Sequence, residues 1–586
     1  MEHFLKSITL RGTGRLGING LIVVVGPNSS GKTQLLRDLI YPRKDKRELV
    51  VSSDHELQAP QAFSEFIEEL KKQSVIRVIT SGTAVTIRPN SSIIGKIEGS
   101  ALGHIDYADA EKRYNEWQKG KSASSGTPFI GHFAPMLGAY LFMKDRLSMI
   151  DTAEGFDHEK EIPKNEIQSL HVNTAARESL NKEIGKAFGK GIGLDHTSKS
   201  LFLRVTETPS QSAPAMYPDS ASQHRRIDDE GDGLRSYVAI CLALLVGYRP
   251  LCLIDEPESC LHPPQAFSLG NFVGKHATEG NRTVVIATHS SQFLRGIVES
   301  GCAVTIVRLT RKSGEFTAHS VEHNVLKDAV SRPSIAADEI FDGLFADGVI
   351  IVEAHNDRMI YQAALLAASQ DFHVDVQFVT VEGTGGIAPA ANFYRVLRIP
   401  CVVIADLDVI VESPTSVRNL LEGIGVPAEE LDDLLKLVAE LHDELRAMPP
   451  TMTAEEAVAE FKKIETDGIS WSDEGDFRFV DRLRELARRV ERSRRIKKGA
   501  EGFEDVQFKE RLVTVIDACK KRGLFLVPVG DLENWMKDQY ADVRPKAGRA
   551  TAAVQAIRAN AEEARAVMTF MAEVGSALNK RRIELA

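Results

Sequence analysis

The segment Gly26-Pro-Asn-Ser-Ser-Gly-Lys-Thr33 follows the apolar run Leu21–Val25 and runs into the apolar stretch Gln34–Ile40. Strand, Gly-rich loop and helix in that order make a phosphate cradle. Gly26 and Gly31 let the loop backbone, Asn28 and Ser29 included, curl its amides around phosphates at the positive end of the helix. Lys32 is suited to neutralise β- and γ-phosphates, and the Thr33 hydroxyl to hold Mg²⁺. A Gly-rich loop alone is a common turn; the Lys-Thr pair and both flanking elements set this one apart.

Two further strand ends carry matching chemistry. Leu251-Cys-Leu-Ile-Asp-Glu-Pro-Glu258 ends a strand in Asp255 and Glu256. Asp255 is expected near Mg²⁺, and Glu256 where it polarises an attacking water. A lone Asp-Glu pair often only caps a helix; downstream of a phosphate loop that reading loses weight. Val284-Val-Ile-Ala-Thr-His-Ser290 ends a third strand in His289, read as a sensor of the γ-phosphate.

A separate set of carboxylates follows. Val349-Ile-Ile-Val-Glu353 ends a strand in an acid, and Asp357 opens the next helix four residues on. Cys401-Val-Val-Ile-Ala405 runs into Asp406-Leu-Asp408. In an extended strand end, residues i and i+2 face the same way, so Asp406 and Asp408 can share one cation. Acids delivered together to one sheet edge are costly without a divalent ion.

These residues need a scaffold, and the sequence supplies one. Short apolar runs recur at Leu21–Val25, Leu251–Ile254, Val284–Ala287, Val349–Val352, Val376–Val381, Cys401–Ala405 and Leu524–Pro528. Such runs mark strands buried on both faces of an α/β sheet, which binds ligands at the carboxyl ends of its strands. At 586 residues the chain needs more than one core. The first group of motifs ends by Ser290, residues 305–347 read as mixed and polar, and the boundary is expected near 335–345. The expected domains are therefore 1–340, with an inserted subdomain within about 60–225, and 345–586. The second carries a helical insertion over about 415–522 and a C-terminal helix over about 550–580.

Composition is that of a globular protein, with a net charge of −10 that argues against a generally nucleic-acid-coating surface. The six scattered cysteines read as mostly buried thiols. The first residues lack an apolar leader, and the most apolar stretch is shorter than the ~18 residues of a membrane span. A cytoplasmic protein with no membrane partner is expected.

The first constellation resembles the ABC/SMC/RecF ATPases, with Asp-Glu-Pro-Glu, Leu-His-Pro and Ala-Thr-His-Ser as the telling fragments. That resemblance implies ATP sandwiched between two copies, each contributing a Gly/Ser-rich signature to the other's nucleotide. Gly231-Asp-Gly-Leu-Arg-Ser236 stands in that position, making Gly233 and Ser236 nucleotide contacts. A plain helix N-terminus explains the same residues as well. The second constellation resembles a TOPRIM domain, which is Rossmann-like, so the expected fold class is α/β, an ABC/SMC-type P-loop domain followed by TOPRIM.

The chain as a whole resembles the OLD (overcoming lysogenization defect) family and, within its relatives, the nuclease subunit of the Gabija anti-phage system. The resemblance implies that Glu533, in Gly523-Leu-Phe-Leu-Val-Pro-Val-Gly-Asp-Leu-Glu-Asn-Trp535, joins the metal set. It also implies that Lys497 or Lys498 assists at the scissile phosphate. The family departs from this chain at Ala354 and Val409, where small flexible residues are usual. By resemblance the cofactors are ATP with one Mg²⁺, and two Mg²⁺ or Mn²⁺ ions in the TOPRIM site. The partners are DNA, a second copy or higher homo-oligomer, and a helicase-like or other defence protein. The implied activity is ATP-regulated DNA cutting or nicking in defence against foreign DNA. The rival readings are a regulatory ATPase whose second domain binds without cutting, and topoisomerase or primase chemistry, for which no Tyr-bearing or zinc module is evident. The basic run Arg482–Lys498 reads equally as a solvated helix face or a phosphate-backbone contact.

Overall fold

Apolar runs of five residues can satisfy their backbone and hide their side chains together only between layers, and the strands here do so. Leu21–Val25, Leu251–Asp255, Thr283–Ala287, Gly348–Val352 and Cys401–Ala405 are buried at every position. The computed structural model describes residues 5–585 apart from 12–13, 19, 40–48, 73–74, 90–104, 121–136, 162, 215, 248, 280–281, 322–336, 369–374, 382, 449–451, 467–482, 484–495, 537–545 and 560. The chain forms two compact units, Met1–Lys327 and Asp328–Ala586.

The first unit is organised by a six-stranded sheet in the order Glu315–Val321, Val304–Lys312, Leu21–Val25, Thr283–Ala287, Leu251–Asp255, Gly138–Leu141. All neighbours are parallel except the first pair, a hairpin. The phosphate-loop strand therefore lies inside the sheet, one strand away from the Asp255 strand. Gly138–Leu141 belongs to the main sheet, inside the span that also holds the expected insertion. One assignment corrects the sequence reading. The stretch read as mixed and polar holds the hairpin Val304–Val321, whose inner strand is largely buried over Val304–Leu309 and whose edge strand Glu315–Val321 alternates between buried and more exposed positions. Ser313 and Gly314, both at positive φ, make its turn. The core beneath the loop joins Val24, Leu35, Leu36, Leu253, Val285, Leu309 and Phe316.

The second unit is built on a parallel sheet ordered Val376–Thr380, Gly348–Val352, Cys401–Ala405, Leu524–Leu526. Between the third and fourth strands the chain makes a helical excursion that includes Pro414–Gly423, Asp432–Ala447, Ala454–Thr466 and Val506–Lys521. The single C-terminal helix expected is two, Lys546–Arg558 and Arg565–Glu584, separated by a 3₁₀ turn at Glu562–Ala564. The last helix is fastened to the sheet by Arg581, whose guanidinium donates to the carbonyls of Cys401, Ile424 and Arg522. Among the described residues no helix is long and apolar enough to cross a membrane. Arg488, Arg489, Arg494 and Arg495 of the basic run lie outside the described residues.

Candidate functional sites

The phosphate loop owes its shape to close backbone approach. Gly26 and Gly31 have φ of 137° and 99°. A Cβ on Gly26 would stand 2.1 Å from the carbonyl oxygen of Leu309, and one on Gly31 2.7 Å from the Phe316 ring. The hairpin missed in the sequence is thus the wall against which the loop is moulded. Asn28 and Ser29 are exposed at its tip, Ser29 itself at φ 61°. Lys32 is 5% exposed and donates to the carbonyls of Gly26 and Pro27 at 2.8 and 2.9 Å. Burial pushes its ammonium down to about 8, against the pull of Glu256, Glu258 and Asp255.

The three predicted strand ends meet here. Thr33 Oγ1 donates to Asp255 Oδ1 at 3.0 Å, bringing together the two side chains assigned to Mg²⁺. Burial, and then repulsion by Glu256, raises the Asp255 carboxyl against its Thr33 hydrogen bond. Glu256 projects a half-exposed side chain whose Oε1 is 3.9 Å from His289 Nε2. Burial and the nearby Lys32 charge lower the His289 imidazole, favouring its neutral form, while Glu256 opposes them. Glu258, to which the sequence reading gave no role, accepts the backbone N–H of His289 at 2.7 Å and so fixes the position of His289. Oxygen donors at Thr33 and Asp255 suit a hard ion such as Mg²⁺.

The signature assignment needs correction at one residue. Gly231 caps the helix Asp232–Leu245, and Gly231 and Asp232 are exposed. Gly233 is pinned by close approach, since a Cβ there would meet the Cys260 carbonyl at 2.4 Å. Ser236 is 0% exposed, more than a turn into the helix, so its hydroxyl presents no surface to a nucleotide held by another copy.

In the second unit the carboxylates gather at the carboxyl ends of the parallel strands. Glu353 Oε1 accepts the Asp406 backbone N–H at 3.1 Å. Asp357 Oδ2 accepts the Ala354 N–H at 3.0 Å, and Asp408 Oδ2 pairs with Lys497 Nζ at 2.7 Å. Burial raises both Glu353 and Asp406, and the surrounding acids add to it. Asp408, Asp357 and Glu412 act on Glu353, and Glu353, Asp357, Asp408 and Asp531 on Asp406. For Lys497, burial lowers the ammonium, but the hydrogen bond and charge of Asp408, with Asp406 and Asp531, win and raise it. Lys498 is exposed.

Two expectations change, and a third rests on a side chain outside the described residues. The strand stops at Ala405, and Asp408 has helical φ and ψ of −68° and −13° as the cap of the short helix Val409–Glu412. The extended i, i+2 geometry therefore does not apply, and a turn brings Asp408 back towards the site. Glu533 lies on the 3₁₀ turn Leu532–Asn534, and its side chain is outside the described residues. Among the described residues no three His, Cys, Asp or Glu side chains converge closely enough to form a ready-made metal cage. One oxygen of each of Glu353, Asp357 and Asp408 is instead engaged by an N–H or an ammonium. The donor set still fits a divalent ion, because buried acids that raise one another are what such a charge relieves.

Asp531 is the acid that the sequence reading missed. It acts on both Asp406 and Lys497 and accepts from Asn534 Nδ2 at 2.7 Å. Its position directly after Gly530, past a strand end, was the available signal. Lys497 is positioned by two interlocked turns. A Cβ on Gly530 would meet the Lys497 carbonyl at 2.1 Å, and one on Gly499 the Pro528 carbonyl at 2.4 Å. Asn534 Nδ2 also donates to the Lys497 carbonyl.

Two family models match the chain. One, described as "AAA domain, putative AbiEii toxin, Type IV TA system", covers residues 140–295 and so takes in the Asp255 and His289 strands but not the phosphate loop. The other, "Overcoming lysogenization defect protein-like, TOPRIM domain", covers residues 344–408. An SMC head bound to the C-terminal winged-helix domain of ScpA is similar at 10% identity and TM-score 0.33, covering 54% of this chain and 98% of that one. The SMC head domain from Thermotoga maritima matches at 12% identity and TM-score 0.27, over 54% and 99%. A Pyrococcus furiosus Smc head with an extended coiled coil matches at 9% and 0.28, over 56% and 98%. No curated protein matches. The chain is an AAA-type P-loop ATPase domain followed by a nuclease-type TOPRIM domain. In content and order these domains match an OLD-family ATPase–TOPRIM nuclease.

Proposed function

We propose that the protein is an ATP-regulated, divalent-metal-dependent DNA endonuclease or nickase, used against phage or other foreign DNA. The observation that carries the reading is the convergence of Glu353, Asp406 and the Asp408–Lys497 pair at one edge of the TOPRIM sheet. In such a site a bound divalent ion supplies Lewis acidity and a low-pKa water. Glu353, Asp357, Asp406 and Asp408, with Glu533 or Asp531, are the residues to hold one or two Mg²⁺ or Mn²⁺ ions. Lys497 carries a strongly held proton and a positive charge, fitted to neutralise a scissile phosphate or protonate the leaving oxygen. In the first unit Lys32 neutralises the nucleotide's phosphates, Glu256 orients water, and neutral His289 reads the γ-phosphate. Two copies would sandwich ATP, the exposed Gly231 end of one facing the nucleotide of the other.

The test is supercoiled plasmid incubated with the protein and Mg²⁺ or Mn²⁺, with and without ATP. Nicked or linear product is expected from the wild type, and none from Asp406→Ala. A second reading, a regulatory ATPase whose second domain binds without cutting, is favoured by the engagement of Asp408 with Lys497. Plasmid bound but left uncut by a folded wild-type protein, with either metal, would support it instead.

A further inference from the structure

Arg146 lies beside the hydrolytic acids, although no motif marks it. It belongs to the short helix Met143–Met149, which follows the edge strand Gly138–Leu141 next to the Asp255 strand. The side chain is 0% exposed. One guanidinium nitrogen, Nη2, donates to the main-chain carbonyl of Glu256 at 3.1 Å and contacts Met143 Sδ at 3.3 Å. Among the described residues, Nε and Nη1 have no hydrogen-bond partner. The charges facing it are those of Glu258, Asp255 and Glu256, and burial lowers the guanidinium to about 10 in spite of them.

A buried guanidinium with two unmet donors is destabilising unless it serves something else. The residue it touches supplies the reason. Glu256 has φ of 45°, a conformation that a non-glycine side chain adopts only under constraint. It also precedes Pro257, which narrows its backbone further. Its N–H donates to the Ala287 carbonyl at 2.8 Å, and its carbonyl accepts from Ser259 N at 3.1 Å as well as from Arg146. The left-handed turn throws the Glu256 carboxylate out of the sheet edge towards His289, half exposed, where a water can reach it.

We infer that Arg146 is a positioning residue for ATP hydrolysis, clamping the Glu256 backbone in its left-handed turn so that the carboxylate faces the attacking water. The inference rests on Glu256 being the water-orienting acid. Arg146 acts through Glu256, whose main-chain carbonyl it holds. A lysine at this position keeps the charge but lacks the planar fork that reaches the carbonyl.

The experiment compares Arg146→Lys and Arg146→Ala in the full chain by steady-state and single-turnover ATP hydrolysis, alone and combined with Glu256→Gln. Loss of an orienting partner of this kind is expected to lower kcat by roughly 10- to 100-fold. KM for ATP and the thermal midpoint of Arg146→Lys should stay near wild type. In the Glu256→Gln background the Arg146→Lys change should add nothing to the single-turnover defect, as for residues that act as a unit. An unchanged kcat in Arg146→Lys, a parallel loss of ATP affinity, or fully multiplicative defects in the double variant would overturn the clamp. If Glu256→Gln alone leaves turnover intact, it is the assignment of Glu256 that fails. Should Arg146→Ala not fold, the lysine variant decides the matter.

Discussion

Thr33 and Asp255 stand 222 positions apart in the sequence and share a 3.0 Å hydrogen bond. Two motifs recognised separately are thereby joined at the proposed seat of a Mg²⁺–nucleotide. Thr33→Val and Asp255→Asn should each reduce Mg²⁺-dependent ATP hydrolysis by at least about 100-fold. The double variant should be scarcely worse than either single one, because neighbours in one network do not add. Turnover measured against Mg²⁺ concentration checks this, and full multiplication of the two losses would separate the residues.

Lys32→Ala should abolish ATP binding or turnover, whereas Glu256→Gln should keep binding and stall after it. A stalled, ATP-loaded Glu256→Gln protein should run as a larger species in size-exclusion chromatography with ATP than without. Identical ATP turnover in both variants and the wild type would falsify the assignment.

Gly26→Ala tests the mould of the loop. The added Cβ meets a backbone carbonyl, which cannot swing aside as a side chain would. Loss of ~1–3 kcal/mol of stability together with loss of ATP affinity is expected. Gly31→Ala meets the Phe316 ring, so pairing it with Phe316→Leu should recover part of the stability. Urea midpoints and nucleotide titration give both readouts.

Asp406 carries a carboxyl raised by burial and by its neighbours. A carboxyl raised in the folded state favours folding below its unfolded value and disfavours it as pH climbs towards the folded one. Asp406→Asn should therefore raise the thermal midpoint at pH 8 without metal, by about 2–8 °C, while plasmid nicking disappears. Mg²⁺ should stabilise the wild type and leave the variant's midpoint unmoved. Chelation with EDTA should stop cutting in the wild type. ATP hydrolysis by Asp406→Asn should persist at wild-type Mg²⁺. A variant that nicks at the wild-type rate would remove the TOPRIM edge from the reaction.

His55 is buried against Ser52, near an Asp38 that accepts the backbone N–H groups of Val50, Val51 and Ser52. Burial pushes the imidazole down to about 4, against the pull of Asp38. Between about 6.5 and that value the unfolded chain binds the proton and the folded one does not, so stability falls as pH drops through this window. The contribution lost approaches about 3 kcal/mol. His55→Gln should flatten that part of the profile, measured as urea midpoints at pH 7 and pH 4.5.

Much of this was legible because buried parallel strands are written as unbroken apolar runs. Each of the seven runs contains a strand, and residues after most of them gather at the two sites. What escaped notice follows the same logic in reverse. In the Val304–Val321 hairpin the edge strand alternates polar and apolar residues and the inner strand is interrupted by Thr305 and Arg308, so it reads as mixed sequence although it shapes the phosphate loop. Gly138–Leu141 is too short to announce itself. Arg146 looks like any helical arginine until its burial is known, and Ser236 looks like a contact until its burial removes it. Asp408 was expected at an extended strand end, whereas a turn directs it. Asp531 stood two residues from the glutamate that drew attention.

The chain leaves the TOPRIM sheet edge at Asp408 and comes back to it at Lys497, and these two side chains are bonded 2.7 Å apart. The excursion between them is thus closed at its base like a drawstring bag. Its length can grow or shrink at small entropic cost, roughly 0.6 kcal/mol per doubling. Descendants of one ancestral gene could exchange what this bag holds without moving a single carboxylate of the edge it hangs from.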